Sequence, residues 1–472
     1  MRGRTNVVQR DYPFVKGDLV SAVVEGDAIG VGDFVEVVYT PQRTKLIDDS
    51  RMVKLNYTAG TGYTDSNIAV FNPIHFEMQG GYVCLIYTND VPTIYFIKEE
   101  NNALVVKDSL TFANNDCDQE ICKLKDNLFC LVKKSQNGTA NLTLYKTQNN
   151  QITLVYTLNY ISLSSISSTY KFLSICKLNS SQMVLFIEAS SGSSVPLQCY
   201  LHYYIVDFTD TTLTLNGSLK SLSTNTFNRY NQSTVRFDNF EDNKILISEY
   251  ATVVREMINS SGTLSWGRNF SSGSRTNIIT YGGRFLINEN EVLFGLSTQP
   301  SGYVARYILD TPITFSPKKF ATTTANGQTI DKILDDTFIA AFWSDYYKNI
   351  GIQVFQNDKS TGNLVESNQV TFSPNDKWTS SSTPTYLRAS VFGVFLKFGN
   401  NIYYVYGDAR EALSSTNNWD IYYQKLRFEN NILTIGQESN KVKKFTGNSF
   451  ALGFSKTAGS AGQTISVYKP ST

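Results

Sequence analysis

From about residue 70 to residue 440, apolar and polar positions recur in one order: a short apolar stretch, a polar or glycine turn, an uninterrupted apolar run, then a hairpin whose arms alternate apolar and polar. Ile121-Cys122-Lys123-Leu124, the turn Lys125-Asp126-Asn127 and the run Leu128 to Val132 give the first half of this plan. Ile175-Cys176-Lys177-Leu178, Asn179 to Gln182 and Met183 to Ile187 repeat it 54 residues later. Equivalent runs begin at Val83, Ile245, Val292, Phe338 and Ile402, which makes seven. Successive side chains of a strand point to opposite faces, so a period of two predicts a sheet with one face buried more deeply than the other. Leu142-Thr143-Leu144-Tyr145 and Ile152-Thr153-Leu154-Val155 are one such pair of arms. The turns between arms fall at Asn101-Asn102, Gln148-Asn149-Asn150, Asp210-Thr211-Thr212, Ser260-Ser261-Gly262, Asp310-Thr311, Ser360-Thr361-Gly362 and Glu429-Asn430-Asn431. Asn, Asp and Gly tolerate the positive φ that tight hairpins need.

The seven runs are spaced 45, 55, 62, 47, 46 and 64 residues apart. A unit of about 53 residues matches a four-stranded propeller blade. A β-helix needs shorter coils, and a helical solenoid needs a 3.6-residue period that this chain lacks. One blade cannot bury both its faces, so blades must stack around an axis. The expected fold is therefore all-β, with a seven-bladed β-propeller over 66–440. The long spacings place loop insertions at Ser190 to Pro196 and Asp408 to Asn418. Trp-Asp pairs do not recur, Trp419-Asp420 standing alone, which sets the chain apart from propellers named for that pair.

The ends follow another pattern. Gly17-Asp18, Gly26-Asp27 and Gly32-Asp33 each sit beside short apolar strands, and Gly459 and Gly462 punctuate a hairpin near the end of the chain. These residues predict a small β-module in two parts, 1–65 and 441–472, each too short to be stable alone. The Gly-Asp opening and the closing Gly-Phe-Ser-Lys-Thr-Ala-Gly-Ser-Ala-Gly-Gln-Thr-Ile-Ser-Val-Tyr resemble small β-modules of tailed-bacteriophage virion proteins of the head-fibre and decoration type, over roughly 60 residues. The resemblance implies an anchoring module on a virus particle, contacts with capsid, neck or tail proteins, several copies per particle, and assembly in the host cytoplasm. Here the two parts flank the whole repeat region, as if a propeller had been inserted into one module. Insertion is tolerated where an insert's ends lie close together, as they do in a closed ring.

Composition narrows the function. With 42 basic and 41 acidic residues the net charge is +1, which argues against a basic nucleic-acid-binding surface. Charged residues are 18% and aromatics 13% of the chain, a balance that favours pleated, half-buried surfaces. No apolar run approaches the roughly 18–20 residues of a spanning helix, and no apolar segment follows Arg2, Arg4 and Arg10, so neither a membrane span nor an export signal is expected. Four of the six cysteines, Cys84, Cys122, Cys130 and Cys176, lie inside apolar runs and read as core thiols; Cys117 and Cys199 are the others.

Catalytic chemistry is sparse. Only two histidines occur, His75 and His202, both within strand patterns. Three-His zinc sites are thereby excluded within one chain, and no phosphate loop, dinucleotide fingerprint or calcium loop is present. Acids cluster at Asp116, Asp118 and Glu120 and at Asp238, Glu241 and Asp242, all in or beside turns, where solvated carboxylates are ordinary. The expectation is a non-enzymatic protein with no cofactor and no metal. Aromatic, amide-rich loops point instead to ligand contact: Trp343, Tyr346, Tyr347, Trp378 and Trp419 suit either sugar rings of a host-surface glycan or a protein partner. A virion enzyme that cleaves glycans, with acids converging from several blades, and a bacterial surface or scaffold propeller remain alternatives.

Overall fold

The structure is a computed structural model, and it describes residues 17–40, 43–47, 74–88, 91–112, 119–134, 138–166, 170–190, 197–222, 227–229, 236–248, 253–271, 284–288, 291–298, 301–308, 318–319, 328–334, 336–344, 349–358, 360–361, 363–372, 393–410, 418–445 and 451–470. These residues form strands and turns and no helix. The chain divides into two compact units, Arg43–Gln424 and the paired ends Met1–Gln42 with Lys425–Thr472.

Seven antiparallel sheets occur among the described residues besides one closed barrel, and each apolar run identified above forms the second strand of a different sheet. The first sheet runs in order Ile74–Met78, Gly81–Thr88, Val91–Glu100 and Ala103–Thr111. The second follows with Gln119–Lys125, Leu128–Lys134, Thr139–Gln148 and Gln151–Ser162, and the third with Tyr170–Lys177, Gln182–Ser190, Leu197–Phe208 and Leu213–Ser221. The fourth, fifth and sixth begin at Arg236–Glu241, Arg284–Asn288 and Gln328–Leu334 and keep the same order. Asn101 and Asn102 (φ 51° and 62°), Asn149 and Asn150 (52° and 64°), Asn430 and Asn431 (49° and 61°) and Ser261-Gly262 (51° and 79°) make the tight turns. Two successive positive φ values match the twist of the flanking strands. The expected turn Asp310-Thr311 lies outside the described residues.

Apolar faces hold successive sheets together. Val83 and Phe96 of the first sheet share a core with Phe129 and Tyr145 of the second. Leu128, Cys130 and Leu142 do the same with Leu173, Ile175 and Leu185 of the third, where Phe186 stacks on Phe237 of the fourth at 4.1 Å. The first strands of the fourth, fifth and sixth sheets touch in turn, and the backbone N–H of Phe395 in the seventh reaches Asp331 of the sixth at 3.4 Å. The seventh packs back onto the first through Leu396, Tyr403 and Val405 against Cys84 and Ile97. Each fully buried Leu, Ile or Phe contributes about 1.5–3 kcal/mol relative to exposure, so these inter-sheet cores dominate the stability of the unit.

The seventh sheet draws on both ends of the repeat region. Its strands Val394–Phe398, Asn401–Arg410 and Asn418–Glu429 are continuous, but the last of these pairs twice: with Ile432–Ile435 along Leu426 to Glu429, and with Arg43–Ile47 along Ile421 to Gln424. Val370–Phe372 and Phe227–Arg229 play the same supplementary part in the sixth and third sheets from within their own segments. Residues 43–47, expected in the terminal module, therefore belong to the sheet region, because their partners lie there. Conversely Gln437–Lys444, which straddles the expected boundary at 440, is wholly a barrel strand.

The barrel closes in the order Gly17–Val24, Gln437–Lys444, Phe34–Thr40, Ala451–Ser455 and Thr464–Pro470. Gly17–Val24 runs parallel to Gln437–Lys444 and antiparallel to Thr464–Pro470. Ala22, Val24, Ile29, Val35, Val442, Ile465 and Val467 fill it.

Candidate functional site

The barrel is built from two copies of one short plan. Residues 26–40 and 456–470 pass alike through a bend, an isolated bridge, a tight turn and a seven-residue strand. The bridges pair with each other, Ile29 to Gly459. In the turns, Gly32 (φ 87°) and Gly462 (φ 81°) take a conformation that glycine adopts without steric cost. The next residue then turns its side chain back: Asp33 Oδ2 accepts from Gly30 N–H at 2.8 Å, and Gln463 Oε1 accepts from Ser460 N–H at 2.8 Å. This is why acid or amide follows glycine at these places. Gly32 N–H also donates to Ser455 O (2.9 Å) and Gly462 N–H to Val24 O (2.7 Å), so each turn is fastened to a strand of the other copy. Ser455 Oγ adds a bond to Gly30 O.

Of the anchoring residues expected from sequence, Gly32, Asp33, Gly459 and Gly462 thus meet in one structure. A Cβ at Gly459 would overlap the Ile465 side chain, so only glycine fits that crossing. Gly17 and Asp18 pair with Pro470 and Lys469 at the start of the barrel. Gly26 (φ 80°) and Asp27 form a separate exposed turn.

Ion pairs join the barrel strands and turns. Glu36, fully buried, meets Lys443 Nζ at 3.1 Å; Lys441 meets Glu25 at 3.0 Å, and Lys444 meets Asp33 at 3.2 Å. The Gly30 amide, and after it Lys444, hold the Asp33 carboxyl below the usual carboxylate range.

Alternation that sends Val20, Ala22 and Val24 inward sends Leu19 outward. Leu19 stands opposite Tyr468, Tyr468 opposite Phe454, and Phe454 opposite Phe34, so one apolar row crosses four adjacent strands on the outer face. Leu19 is 65% exposed, Phe34 63%, and Val31 in the preceding turn 69%. Phe445, whose N–H bonds Phe34 O, extends the row. Lys456 Nζ lies 4.7 Å from the Phe454 ring centre and 5.4 Å from that of Tyr468, and among the described residues it pairs with no carboxylate. The glycine turns were legible in the sequence; this row was not, because it exists only once strands from opposite ends of the chain are placed in register.

Of the expected aromatic ligand contacts, Trp343 and Trp419 lie on described strands. Trp343 lies on Thr337–Ser344 opposite Ile350, and Trp419 on Asn418–Glu429. Tyr346, Tyr347 and Trp378 lie outside the described residues.

His75 and His202 each have a partner. His75 Nε2, on the first strand of the first sheet, is 2.8 Å from Asp331 Oδ2 on that of the sixth, the oxygen that Phe395 N–H also reaches. Nearby, the Tyr82 hydroxyl donates to Lys397 O (3.2 Å) and accepts from Lys397 N–H (3.1 Å). These groups tie the first, sixth and seventh sheets together. His202 Nδ1 is 2.7 Å from Ser221 Oγ, and burial holds its imidazole below the usual value. Glu241 pairs with Lys244 at 2.6 Å, Asp242 is exposed in a turn, and Glu120 and Asp238 sit on first strands. Asp116 and Asp118 lie outside the described residues. Among the described residues no group of three His, Cys, Asp or Glu side chains is placed to hold a metal ion.

No protein-family model matches the chain, and no curated protein does. Solved structures do. A protein from Lactobacillus plantarum is 9% identical, with 70% of this chain and 96% of that one covered and a TM-score of 0.43. A fucose-specific lectin from Aleuria aurantia is 11% identical over 71% of this chain and 100% of its own, with a TM-score of 0.40. A 6-phosphogluconolactonase-like protein from Bacteroides uniformis is 13% identical over 74% and 94%, again at 0.40.

Proposed function

We propose that the chain is a non-enzymatic structural component of a tailed-phage virion, docked on the particle by its terminal barrel and displaying Arg43–Gln424 as a seven-bladed β-propeller. The single observation that carries the docking half is the outward row Leu19, Tyr468, Phe454 and Phe34 with Lys456 above it. A contiguous exposed apolar patch marks an interaction site. Lys456 asks its partner for a carboxylate set among apolar side chains, which fits a neighbouring virion protein better than a lipid or nucleic-acid surface. The resemblance of both ends to head-fibre and decoration modules supports the same reading. The display half draws support from seven sheets packed in sequence, with the seventh returning to the first, and from the way Arg43–Ile47 completes the seventh from the far end.

The test is incorporation. Leu19→Asp with Phe34→Asp changes two exposed side chains and so leaves the fold intact; the doubly substituted protein is expected to be missing from purified particles while remaining folded by circular dichroism. Normal incorporation of that variant would contradict the docking role of the row.

A further inference from the structure

Each sheet ends, on the side away from its first strand, in an edge strand: Ala103–Thr111, Gln151–Ser162, Leu213–Ser221, Thr263–Ser271, Lys318–Lys319, Asn363–Glu366 and, in the seventh, Arg43–Ile47. An edge strand presents unpaired backbone N–H and C=O groups to any other chain, and proteins blunt it with charged side chains, proline, bulges or short length. Six of these seven strands carry charge: Lys107 and Asp108, Lys220, Arg268, Lys318 and Lys319, Glu366, and Arg43 and Lys45. Gln151–Ser162 carries none and has neither proline nor glycine, yet at 12 residues it is the longest of them. The supplementary strands Val370–Phe372 and Ile432–Ile435 are also uncharged, but only 3 and 4 residues long.

The contrast is sharpest at the bulge that the first, second and fourth edge strands share. The extra residues there are Lys107 in the first sheet and Gly267-Arg268 in the fourth, but Val155 in the second. Gln151–Ser162 pairs with Thr139–Gln148 on one side and, among the described residues, with no strand on the other. Its ends are tied down. Ile152 N–H donates to Asp108 Oδ2 of the first sheet at 2.6 Å, and Tyr160 N–H to Asn141 Oδ1 at 3.0 Å. Tyr160 has φ 63°, a left-handed conformation that is costly for an aromatic residue and ends the regular run. Between these ends lies the stretch 153–159, rich in β-branched and aromatic residues, with Leu154 63% and Tyr156 36% exposed.

We propose that residues 153–159 are a self-association edge, along which a second copy of this chain pairs antiparallel and continues the second sheet across a twofold axis. The composition of the strand selects that occupant. An uncharged strand meets no like-charge repulsion from its own copy, whereas Lys107, Lys220, Arg268 and Lys318-Lys319 would each bring charge toward an identical strand. With the axis at Tyr156, Tyr156 of one copy stands against Tyr156 of the other and Leu154 against Leu158, so side chains now open to solvent cover one another. Each copy offers one such edge, so the pairing is isologous and stops at two.

The experiment is sedimentation velocity of the purified full chain from about 1 to 100 μM, the range in which a modest interface assembles. A monomer–dimer equilibrium is expected. Leu154→Lys and Tyr156→Lys, which set like charges beside each other across the axis, should each raise the dimer dissociation constant about tenfold or more while circular dichroism stays unchanged. Val365→Lys, on the short sixth edge strand and 41% exposed, should leave it unaltered, as should Leu19→Asp with Phe34→Asp on the barrel. Amide hydrogen exchange of the unsubstituted chain reads the same surface without any variant: protection over 153–159 should rise with protein concentration. A monomer throughout the range, a dimer that both edge substitutions leave intact, one lost with Val365→Lys or with the barrel pair, growth beyond two copies, or exchange over 153–159 independent of concentration would each overturn the proposal. The measurement needs no particle, so its failure leaves the incorporation assay to judge the docking role separately.

Discussion

Ile29 and Gly459 stand opposite each other in the terminal barrel and exchange two backbone hydrogen bonds, Ile29 N–H to Gly459 O and Gly459 N–H to Ile29 O, each 2.9 Å. The two ends of the chain are thus one folding unit, and neither part has a closed sheet without the other. Gly459→Val places branched carbons where Ile465 and Val24 already pack, an overpacking that costs about 1–3 kcal/mol. Hydrogen exchange should accelerate at Val24, Ile29 and Gly462 and stay slow along Leu128–Lys134.

The clasp of the seventh sheet can be tested in the same way. Ile47 and Leu46 pack against the cluster that joins the seventh sheet to the first, and the Arg43 guanidinium carbon lies 3.8 Å from the Tyr422 ring centre. Ile47→Asp buries a carboxylate among apolar side chains and should cost about 2–3 kcal/mol in urea unfolding. Leu334→Asp, at a position 51% exposed, is the matched control and should change stability by no more than about 0.5 kcal/mol.

The sheets were legible because their signal is local. A second strand buried on both faces reads as an uninterrupted apolar run, as in Leu128 to Val132, and a hairpin with two positive φ values reads as Asn-Asn, as at 101–102, 149–150 and 430–431. Gly32-Asp33 and Gly462-Gln463 were visible for the same reason. The register of pairings across the chain was not. Arg43–Ile47 has the pattern of any short strand, and only its partner in the seventh sheet says that it leaves the terminal module. Likewise Leu19 and Phe34 are unremarkable singly.

A pH dependence follows from the fourth sheet. Glu256 is 1% exposed and bonds Arg268 through Nε at 2.9 Å and Nη2 at 3.0 Å. Burial pushes its carboxyl up, but the Arg268 hydrogen bonds and charge outweigh it and leave the group below its ordinary value of 4.5. A lowered value in the folded state means that the pair stabilises the fold above that ordinary value and loses its contribution as pH falls through the lower, folded one. Arg268→Leu should cost about 3 kcal/mol at pH 7 by leaving a buried unpaired carboxylate. The same comparison at pH 4 should show a smaller gap, because protonation relieves the variant and not the parent.

The thiols should be inert. Burial pushes Cys122 up to about 12 and Cys84, Cys130 and Cys176 well above their ordinary value of 9. The thiolate is the reactive species, so iodoacetamide at pH 8 should leave these four unmodified in the native protein and alkylate them in denaturant, as read by peptide mass spectrometry.

The most direct test of the whole account is the place of this chain in an electron cryo-microscopy reconstruction of the purified particle. The account predicts the terminal barrel seated against another virion protein, with Leu19, Phe34 and Phe454 in the contact, and a ring of seven sheets facing solvent. A particle lacking the chain, or one in which that row faces solvent, would contradict it.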